Sequence, residues 1–245
     1  WKNLIITTQD DYDYLIVINN HPHNYPLFDK KKAILIHMEP NMEKKKKINE
    51  SEWYATIIHR NDFNVAEWHL QKTYSQLIHS QFNNKIDSIS SILSPKYSDI
   101  GQIRRIDFVK YIESFLNIDI FGSQLSQDRW LWKNYKGPLP YHNKDDGLIP
   151  YKYHFNCENH FYKNYATEKI FDPILSECLV FYSGCSNIKE FIDERSFVYL
   201  ELDNFNDDMN KIITAIKEDW WSQKIDIIRT EKQRILNEYN LFERL

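Results

Sequence analysis

The sequence has few cysteines and no apolar run long enough to cross a bilayer. Its 245 residues include only 3 cysteines, which are Cys157, Cys178 and Cys185. An odd number at these spacings indicates neither a disulfide framework nor a zinc site, so we interpret all of them as free thiols. No stretch approaches the ~20 apolar residues of a transmembrane helix, and no signal peptide is recognised. These absences favour a cytoplasmic location, with a Golgi lumen expected only for an excised domain.

The chain also lacks an excess of positive charge. It has 31 Lys and Arg against 35 Asp and Glu, for a net charge of -4. This balance argues against nucleic-acid binding as the main activity. Two lysine runs, at Lys30–Lys32 and at 44–47, are interpreted as solvated loops. A hydrophobic content of 42% is enough for a substantial core, most naturally two α/β lobes with one cleft.

Polar chemistry is concentrated in residues 151–193, which predict a strand, a loop, a helix and a second strand. Apolar residues alternate over Tyr151–Cys157, as in a strand with one apolar face, and Glu158 and Asn159 follow at its C-terminal end. Thr167 or a neighbour can cap the helix that comes next, and Gly184 follows the short apolar strand after it. In open α/β sheets, ligands bind beyond the carboxyl ends of the strands.

The start of the predicted helix suits a diphosphate. Free backbone N–H groups and the positive end of the helix dipole lie there, and Lys169 adds a full charge. Glu168 projects about 100° away from Lys169, so one side chain can face sugar hydroxyls while the other faces phosphate. On composition alone, an ordinary charged first turn is the more common explanation of this pair.

The same segment resembles the donor-binding signature of the α-1,3/4-fucosyltransferases, glycosyltransferase family 10. The motifs that carry the resemblance are Tyr151-Lys152-Tyr153, Cys157-Glu158-Asn159, Tyr165-Ala166-Thr167-Glu168-Lys169 and Gly184-Cys185-Ser186. Their order makes the signal specific, and the resemblance is strongest over residues 102–205. It implies that Asn159, Tyr165, Glu168 and Lys169 contact the sugar, ribose or diphosphate of GDP-fucose. The expected donor-binding residues are Arg105, Glu158, Asn159, Tyr165, Thr167, Glu168, Lys169 and Gly184.

Arg105 enters this set through a second stretch. An amphipathic helix is predicted over residues 104–116, followed by a strand that ends at Gly122. This arrangement is similar to the family's arginine-led helix, which implies that Arg105 contacts phosphate. A guanidinium fork suits a diphosphate because it offers several donors and stays charged. Without the resemblance, Arg104 and Arg105 are more simply a solvated pair, although their expected place at a helix start hints at a compensating anion.

Glu39 is the candidate catalytic residue. Apolar runs predict strands at residues 14–18 and 33–38, and Glu39 comes directly after the second. The resemblance implies that Glu39 is the general base that accepts the proton of the acceptor hydroxyl. From the residues alone it is more simply an exposed carboxylate at a strand end.

These observations predict an α/β fold of the GT-B-like class, with two Rossmann-like lobes and an interlobe cleft. We place the N-terminal acceptor-side lobe at residues 1–84 and the C-terminal donor lobe at 85–245, with the last helix packing back on the first lobe. The serine-rich run at 86–93 is only weakly strand-like. The expected partners are a nucleotide sugar and a glycan or glycoprotein acceptor, with no nucleic acid and no membrane segment.

The predicted reaction is inverting transfer of fucose from GDP-fucose to a glycan hydroxyl. No cofactor is required in this scheme, because protein cations stabilise the leaving diphosphate, and a divalent cation is non-essential. Two alternatives remain open at this point. The same fold can use a different UDP- or GDP-hexose, or the chain can be a non-catalytic module that binds glycan or nucleotide.

Overall fold

Two parallel β-sheets organise the chain. The computed structural model describes residues 5, 7, 11–18, 28–37, 50–58, 65–122, 131–140 and 143–244. The first sheet has the strand order β1-β2-β3, and the second has the order β6-β5-β4-β7-β8-β9. The strands are β1 (Leu15–Ile18), β2 (Ala33–His37), β3 (Ala55–Ile58), β4 (Ile86–Ile92), β5 (Ile118–Phe121), β6 (Tyr135–Gly137), β7 (Tyr151–Cys157), β8 (Leu179–Ser183) and β9 (Phe197–Tyr199).

The first sheet holds two of the predicted strands nearly as expected. β1 and β2 begin within one residue of the predicted positions, and they pair in parallel with Leu15 opposite Ala33. β3 extends the sheet with Ile34 opposite Ala55. Glu39 and its neighbours in 38–49 lie outside the described residues.

Every strand pair in the second sheet is parallel. When its strands are counted from β4, their order is 3-2-1-4-5-6, which is the doubly wound arrangement of dinucleotide-binding folds. The order reverses between β4 and β7. In such sheets ligands bind in the crevice at the carboxyl ends of the strands beside this switch point, so the topology alone marks where a site belongs.

β4 is a central strand despite its weak sequence signal. Ser90 and Ser91 are fully buried in it, at 0% exposure, and both hydroxyls are satisfied internally. Ser90 Oγ donates to the carbonyl oxygen of Gly147 at 2.6 Å, and Ser91 Oγ donates to that of Phe155 at 3.0 Å. Because buried hydroxyls are tolerated when they are hydrogen-bonded, serines can stand where an apolar pattern is expected.

Helices flank the second sheet and follow it. Those described are α1 (Tyr74–His79), α2 (Ile100–Ile112), α3 (Asp145–Leu148), α4 (Glu168–Leu175), α5 (Phe205–Lys217), α6 (Trp220–Arg234) and α7 (Leu241–Arg244). A π-helical turn, Ile235–Tyr239, continues α6. Thr167 is the N-cap of α4, as predicted, and its hydroxyl accepts from the Lys169 amide. Pro173 lies inside α4, which is only 8 residues long.

The predicted start of α2 is wrong by four residues. The helix begins at Ile100, directly after its N-cap Asp99, because Asp99 and Gln102 form a capping box. The side-chain oxygen of Gln102 accepts from the Asp99 amide at 3.3 Å, and Nε2 of Gln102 donates to Asp99 Oδ2 at 2.9 Å. Arg105 therefore lies in the second turn of α2. The argument that an arginine at a helix start hints at an anion does not apply to it.

Residues 65–82 cross from the first sheet and pack on the second. Ala66, Leu70 and Leu77 belong to the larger hydrophobic core, although the sequence analysis assigns them to the first lobe. The crossing segment 65–72 is tied down by backbone N–H groups: Ala66 donates to Tyr239 O at 2.6 Å and His69 to Asp172 Oδ1 at 2.8 Å. The first contact holds the segment against the π-helical turn Ile235–Tyr239, and the second holds it against α4.

The C-terminal residues reach the smaller core under the first sheet. This core contains Ile36 and Val65, and Leu241 of α7 packs against it. The chain thus returns to the first sheet at its end. Within the ranges described above, no helix has the length and apolar character needed to cross a bilayer.

Candidate active site

A cavity of about 230 Å³ lies at the C-terminal ends of β4 and β7, beside the switch point. Ser94 lines it just after β4, and Asn156 lines it near the end of β7. The remaining wall comes from α2, α3 and α4 and from the loops that hold Lys96, Lys144 and Asn159. Among the residues in that wall are four of the predicted donor-binding residues, Arg105, Asn159, Glu168 and Lys169.

The cavity is positively charged although the chain as a whole is negative. Four cations line it, against the two carboxylates of Glu168 and Asp172, which leaves a net charge of +2. The chain carries a net charge of -4. The cations are Lys96, Arg105, Lys144 and Lys169. An interior surface with this balance suits an anionic ligand.

Arg105 lines the cavity with a buried guanidinium group that is only partly hydrogen-bonded. The residue is 4% exposed, and its Nη1 donates to the carbonyl oxygen of Cys157 at 2.6 Å. Its Nε is buried and has no hydrogen-bond partner, and no carboxylate of the described residues forms an ion pair with Arg105. Burial lowers the pKa of the guanidinium from its usual value. A buried cation without a counter-ion is costly, so an anion bound here would be stabilised strongly.

Glu158 does not line the cavity but is buried next to the loop that leads into α4. Its carboxylate is 0% exposed and accepts from the Thr167 amide at 2.8 Å and from the Thr167 hydroxyl at 2.7 Å. The Tyr182 hydroxyl donates to it at 3.2 Å. Burial raises the pKa of Glu158, while the charge of Lys169 opposes that rise. These contacts fix the loop that leads into α4, so the geometry indicates a positioning role for Glu158 and Thr167.

Lys169 lies between two carboxylates at the start of α4. Its Nζ is 3.5 Å from Glu158 Oε2 and 3.2 Å from Glu168 Oε1. Burial would lower the pKa of Lys169, but these two negative charges raise it above its usual value. Lys169 therefore carries a full positive charge into the cavity at neutral pH.

Gly184 and Tyr165 contribute packing and are not among the residues of the cavity wall. A Cβ at Gly184 would lie 2.4 Å from Glu158 Cγ, so only glycine leaves room for that carboxylate. Tyr165 is 4% exposed, with its ring centroid 6.1 Å from that of His160. Both residues thereby shape the loop around Glu158.

Lys144 and Asp172 form a part of the site that the sequence analysis missed. Lys144 Nζ lies 2.9 Å from Asp172 Oδ2 and 3.3 Å from Glu168 Oε1. Burial raises the pKa of Asp172 to about 6, against the opposing charge of Lys144. For Glu168, burial favours the neutral form, but Lys169 and Lys144 together hold its pKa well below the usual range. Glu168 is thus ionised and presents an acceptor to the cavity.

Glu67 and His154 were missed as well: Glu67 is remote in sequence from the donor signature, and His154 lies between two of its motifs, Tyr151-Lys152-Tyr153 and Cys157-Glu158-Asn159. Glu67 lies on the crossing segment 65–72, where burial and the neighbouring Glu168 raise its pKa to about 7. His154 is fully buried in β7 and lines the cavity. The alternation of apolar residues in β7 could have found His154, since it stands with Asn156 on the face opposite Tyr153 and Phe155.

The general base predicted at Glu39 lies outside the described residues, as does the loop that follows it. Among the described residues, no group of three or more His, Cys, Asp or Glu side chains is arranged to hold a metal ion. All three cysteines are buried and unpaired.

The fold is similar to that of several solved glycosyltransferases. An α1,3-fucosyltransferase crystallised with GDP matches with a TM-score of 0.56 and 15% identity, covering 96% of this chain and 82% of that chain. An α-glucosyltransferase in complex with UDP and DNA matches with a TM-score of 0.57 and 6% identity, covering 93% and 75%. T4 phage BGT with its UDP-glucose substrate matches with a TM-score of 0.50 and 16% identity, covering 95% and 82%. These likenesses confirm the predicted α/β, GT-B-like fold.

The sequence comparisons identify the family. No curated protein sequence matches the chain. The family model described as glycosyltransferase family 10 (fucosyltransferase), C-terminal part, matches residues 84–222, which is more than half of the 245 residues. This match spans β4, β7 and α4, and with them the whole charged wall of the cavity. The chain therefore belongs to glycosyltransferase family 10 and is a fucosyltransferase-like glycosyltransferase.

Proposed function

We propose that this enzyme transfers fucose from GDP-fucose to a hydroxyl of a glycan or glycoprotein acceptor, with inversion at the anomeric carbon. The observation that supports it most is that Arg105 and Lys169, from separate helices, line one cavity of about 230 Å³ at the switch point of a doubly wound sheet. Family membership supports the donor, since the family model is named for fucosyltransferases.

The donor diphosphate occupies the cationic part of the cavity. The unpaired Nε of Arg105 donates to a phosphate oxygen, and Lys169 places its charge beside the same group. The N-terminus of α4 adds the positive end of a helix dipole. As the sugar leaves, negative charge grows on the diphosphate, and these preorganised groups stabilise it without a metal ion. A divalent cation is therefore expected to be non-essential.

The acceptor hydroxyl attacks the anomeric carbon from the face opposite the diphosphate. A carbon–oxygen bond forms to the acceptor as the bond to the diphosphate oxygen breaks, and the hydroxyl proton passes to a general base. Glu39 is our candidate for that base, from the family resemblance. Glu168, ionised at the end of the cavity, is an acceptor for a hydroxyl of the donor sugar.

Donor identity is tested by offering the purified protein GDP-fucose and UDP-glucose separately, with and without EDTA. Release of GDP and a rise in melting temperature with GDP-fucose alone, unchanged by EDTA, are the expected results. UDP release from UDP-glucose would overturn the assignment of the sugar. Thermal stabilisation without release of either nucleotide, even with a broad glycan array as acceptor, would indicate a binding module.

The site residues are tested with matched neighbours. Arg105→Ala should weaken GDP-fucose binding by roughly 10- to 100-fold, as expected when a hydrogen bond to a charged group is lost. Arg104→Ala is the control, because Arg104 instead pairs with Asp203 at 3.1 Å and covers the Phe161 ring. Equal effects of the two substitutions, measured by isothermal titration, would contradict the proposal.

Substitutions of Lys169 and of Glu39 are expected to have different effects on donor binding and turnover. Lys169→Met should weaken donor binding, whereas Lys163→Met, at an exposed position four residues after Asn159, should not. Glu39→Gln should abolish turnover and leave the dissociation constant of GDP-fucose near that of the wild type. Loss of donor binding in Glu39→Gln would mean that the base is another residue.

A further inference from the structure

His154 is a buried residue whose ring nitrogens have different environments. It is 0% exposed and lies in the middle of β7, three residues before the strand ends at Cys157. Its Nδ1 is 2.8 Å from Ser90 Oγ. Its Nε2 is buried and has no hydrogen-bond partner. Since buried polar atoms are almost always paired, an open position on a residue of the cavity wall calls for an explanation.

Ser90 fixes which nitrogen of His154 carries the proton. A serine hydroxyl has a single hydrogen, and Ser90 Oγ donates it to the carbonyl oxygen of Gly147 at 2.6 Å. The contact with His154 must then run the other way, with Nδ1–H donating to Ser90 Oγ. In the neutral ring, Nε2 is left with a lone pair and no proton. It can accept a hydrogen bond but cannot donate one.

The ring is neutral at neutral pH. Burial lowers the pKa of His154 to about 3, and the nearby charges of Lys144 and Lys85 act in the same direction. Lys144 itself lines the cavity beside His154. Nε2 therefore keeps its acceptor character at neutral pH.

The position of His154 sets it deeper than the phosphate-binding groups. Three residues of strand separate it from the C-terminal edge, a distance of about 10 Å at ~3.3 Å per residue. Asn156, which lies on the same face, also lines the cavity. On the other face, Tyr153 and Phe155 are packed in the core. A ligand held by Arg105 and Lys169 at the edge can thus extend inwards to His154.

We propose that His154 is a specificity-determining residue of the donor site, whose Nε2 accepts a hydrogen bond from an N–H or O–H group of the bound nucleotide sugar. The inference rests on the proposed function and adds to it a residue to which the family resemblance assigns no role. It assigns a chemical requirement to the deep end of the cavity: the ligand group there must be a hydrogen-bond donor. A sugar hydroxyl and a base N–H both satisfy this requirement.

Two substitutions distinguish the role of Nδ1 from that of Nε2. His154→Asn keeps an N–H near the Nδ1 position for Ser90 and removes the unpaired acceptor Nε2. His154→Gln can place its side-chain oxygen near the Nε2 position. Asn is expected to weaken GDP-fucose binding roughly three- to tenfold, the effect of one neutral hydrogen bond. Gln is expected to bind more tightly than Asn.

Titrations with GDP and GDP-fucose identify the group that donates. If His154→Asn weakens both ligands equally, the donor is in the nucleoside; if it weakens only GDP-fucose, the donor is a sugar hydroxyl. Either result supports the proposal. Wild-type affinity of the Asn variant for both ligands would overturn it. Failure of the wild type to bind any nucleotide sugar would instead overturn the proposed function, and this inference with it.

A measurement on the wild-type protein keeps the test independent of mutant folding. Long-range ¹H–¹⁵N correlation distinguishes a protonated from an unprotonated ring nitrogen. We expect His154 to show a protonated Nδ1 and a bare Nε2, and the Nε2 resonance to shift when GDP-fucose is added. A protonated Nε2, or an Nε2 resonance unmoved by a saturating ligand, would contradict the proposal.

Discussion

Gly101 and Glu158 are in backbone contact where α2 meets the end of β7. A Cβ on Gly101 would lie 1.8 Å from the carbonyl oxygen of Glu158, and the Gly101 amide donates to Asn159 O at 3.0 Å. The first turn of α2 fits against this loop only because residue 101 has no side chain. The contact sets the position of Arg105, one turn later, relative to Lys169 across the cavity.

Gly101→Ala should therefore damage both stability and donor binding. The overlap is with backbone atoms, so no rotamer change relieves it, and we expect a loss of about 1–3 kcal/mol or more in the free energy of unfolding. Gly147→Ala is the control, since its Cβ would meet only side-chain atoms of Leu139 and Ile92, at 3.0 and 3.1 Å. Urea unfolding and GDP-fucose titration measure the two effects. Equal losses in both variants would contradict the argument.

Glu177 anchors α6 through a buried ion pair. It is 0% exposed, and its carboxylate lies 2.9 Å from Lys232 Nζ and 3.0 Å from Arg229 Nε. Glu177→Gln leaves Lys232, which is 1% exposed, without its counter-ion. We expect the free energy of unfolding of this variant to be lower than that of the wild type by about 3–5 kcal/mol at neutral pH. Glu238→Gln, at an exposed pair 3.8 Å long, should cost less than about 1 kcal/mol.

The effect of Glu177→Gln should also depend on pH. Burial would raise the pKa of Glu177, but hydrogen bonds and charge from Lys232 hold it below the usual value of 4.5. A depressed folded-state pKa stabilises the protein above the unfolded value, and the stabilisation is lost as pH falls through the folded value. The difference in the free energy of unfolding between the wild type and Glu177→Gln should thus become smaller below about pH 4.5. A constant difference down to pH 3 would contradict this prediction.

Glu67 should make donor binding weaker as the pH rises. Burial and the charge of Glu168 raise its pKa to about 7, so deprotonation above that pH adds a negative charge near Lys169. Both phosphates of GDP-fucose are already ionised, so the ligand does not titrate there. The pKa of Asp172 is raised to about 6, so its deprotonation should also weaken donor binding, but at a lower pH.

We expect the dissociation constant of GDP-fucose to rise roughly three- to tenfold between pH 6 and 8, which corresponds to about 1 kcal/mol of charge repulsion. Glu67→Gln should remove the part of this rise that centres on pH 7 and leave the part that Asp172 causes near pH 6. A pH profile that is identical in the wild type and the variant would show that Glu67 does not act on the donor.

The thiols should be unreactive in the folded protein. Burial raises the pKa of Cys157 to about 12 and that of Cys185 to about 11, and Cys178 is shifted in the same direction. Because the thiolate is the reactive form, we expect negligible labelling by a disulfide reagent in native buffer and three equivalents in denaturant. Rapid native labelling would mean that at least one cysteine is accessible.

Local signals predicted β7 and α4 well. The alternation in β7 and the Thr167 cap are properties of contiguous residues, and both occur where the sequence indicates. The start of α2 is also encoded locally, in the pairing of Asp99 with Gln102, whereas the arginines that suggest a helix lie in its second turn. Arg105 was found through a family resemblance and not through its own environment.

Non-local contacts account for what the sequence could not show. β4 is weakly apolar because Ser90 and Ser91 find their partners on α3 and β7, which are more than fifty residues away. Lys144 and His154 line the cavity from two separate segments, and Glu67 lies near its charged groups on a third. Parallel topology brings them together, since it gathers the ends of distant strands at one edge.

The crossing segment 65–72 gives the enzyme a native optical reporter. Trp68 lies between Glu67 and His69, whose amide is held by Asp172 of α4, and its indole packs against the larger core. A nucleotide sugar that engages the first turns of α4 acts on the helix to which this tryptophan is tethered. Its emission should therefore respond when the donor binds, so that occupancy can be followed without a dye or label.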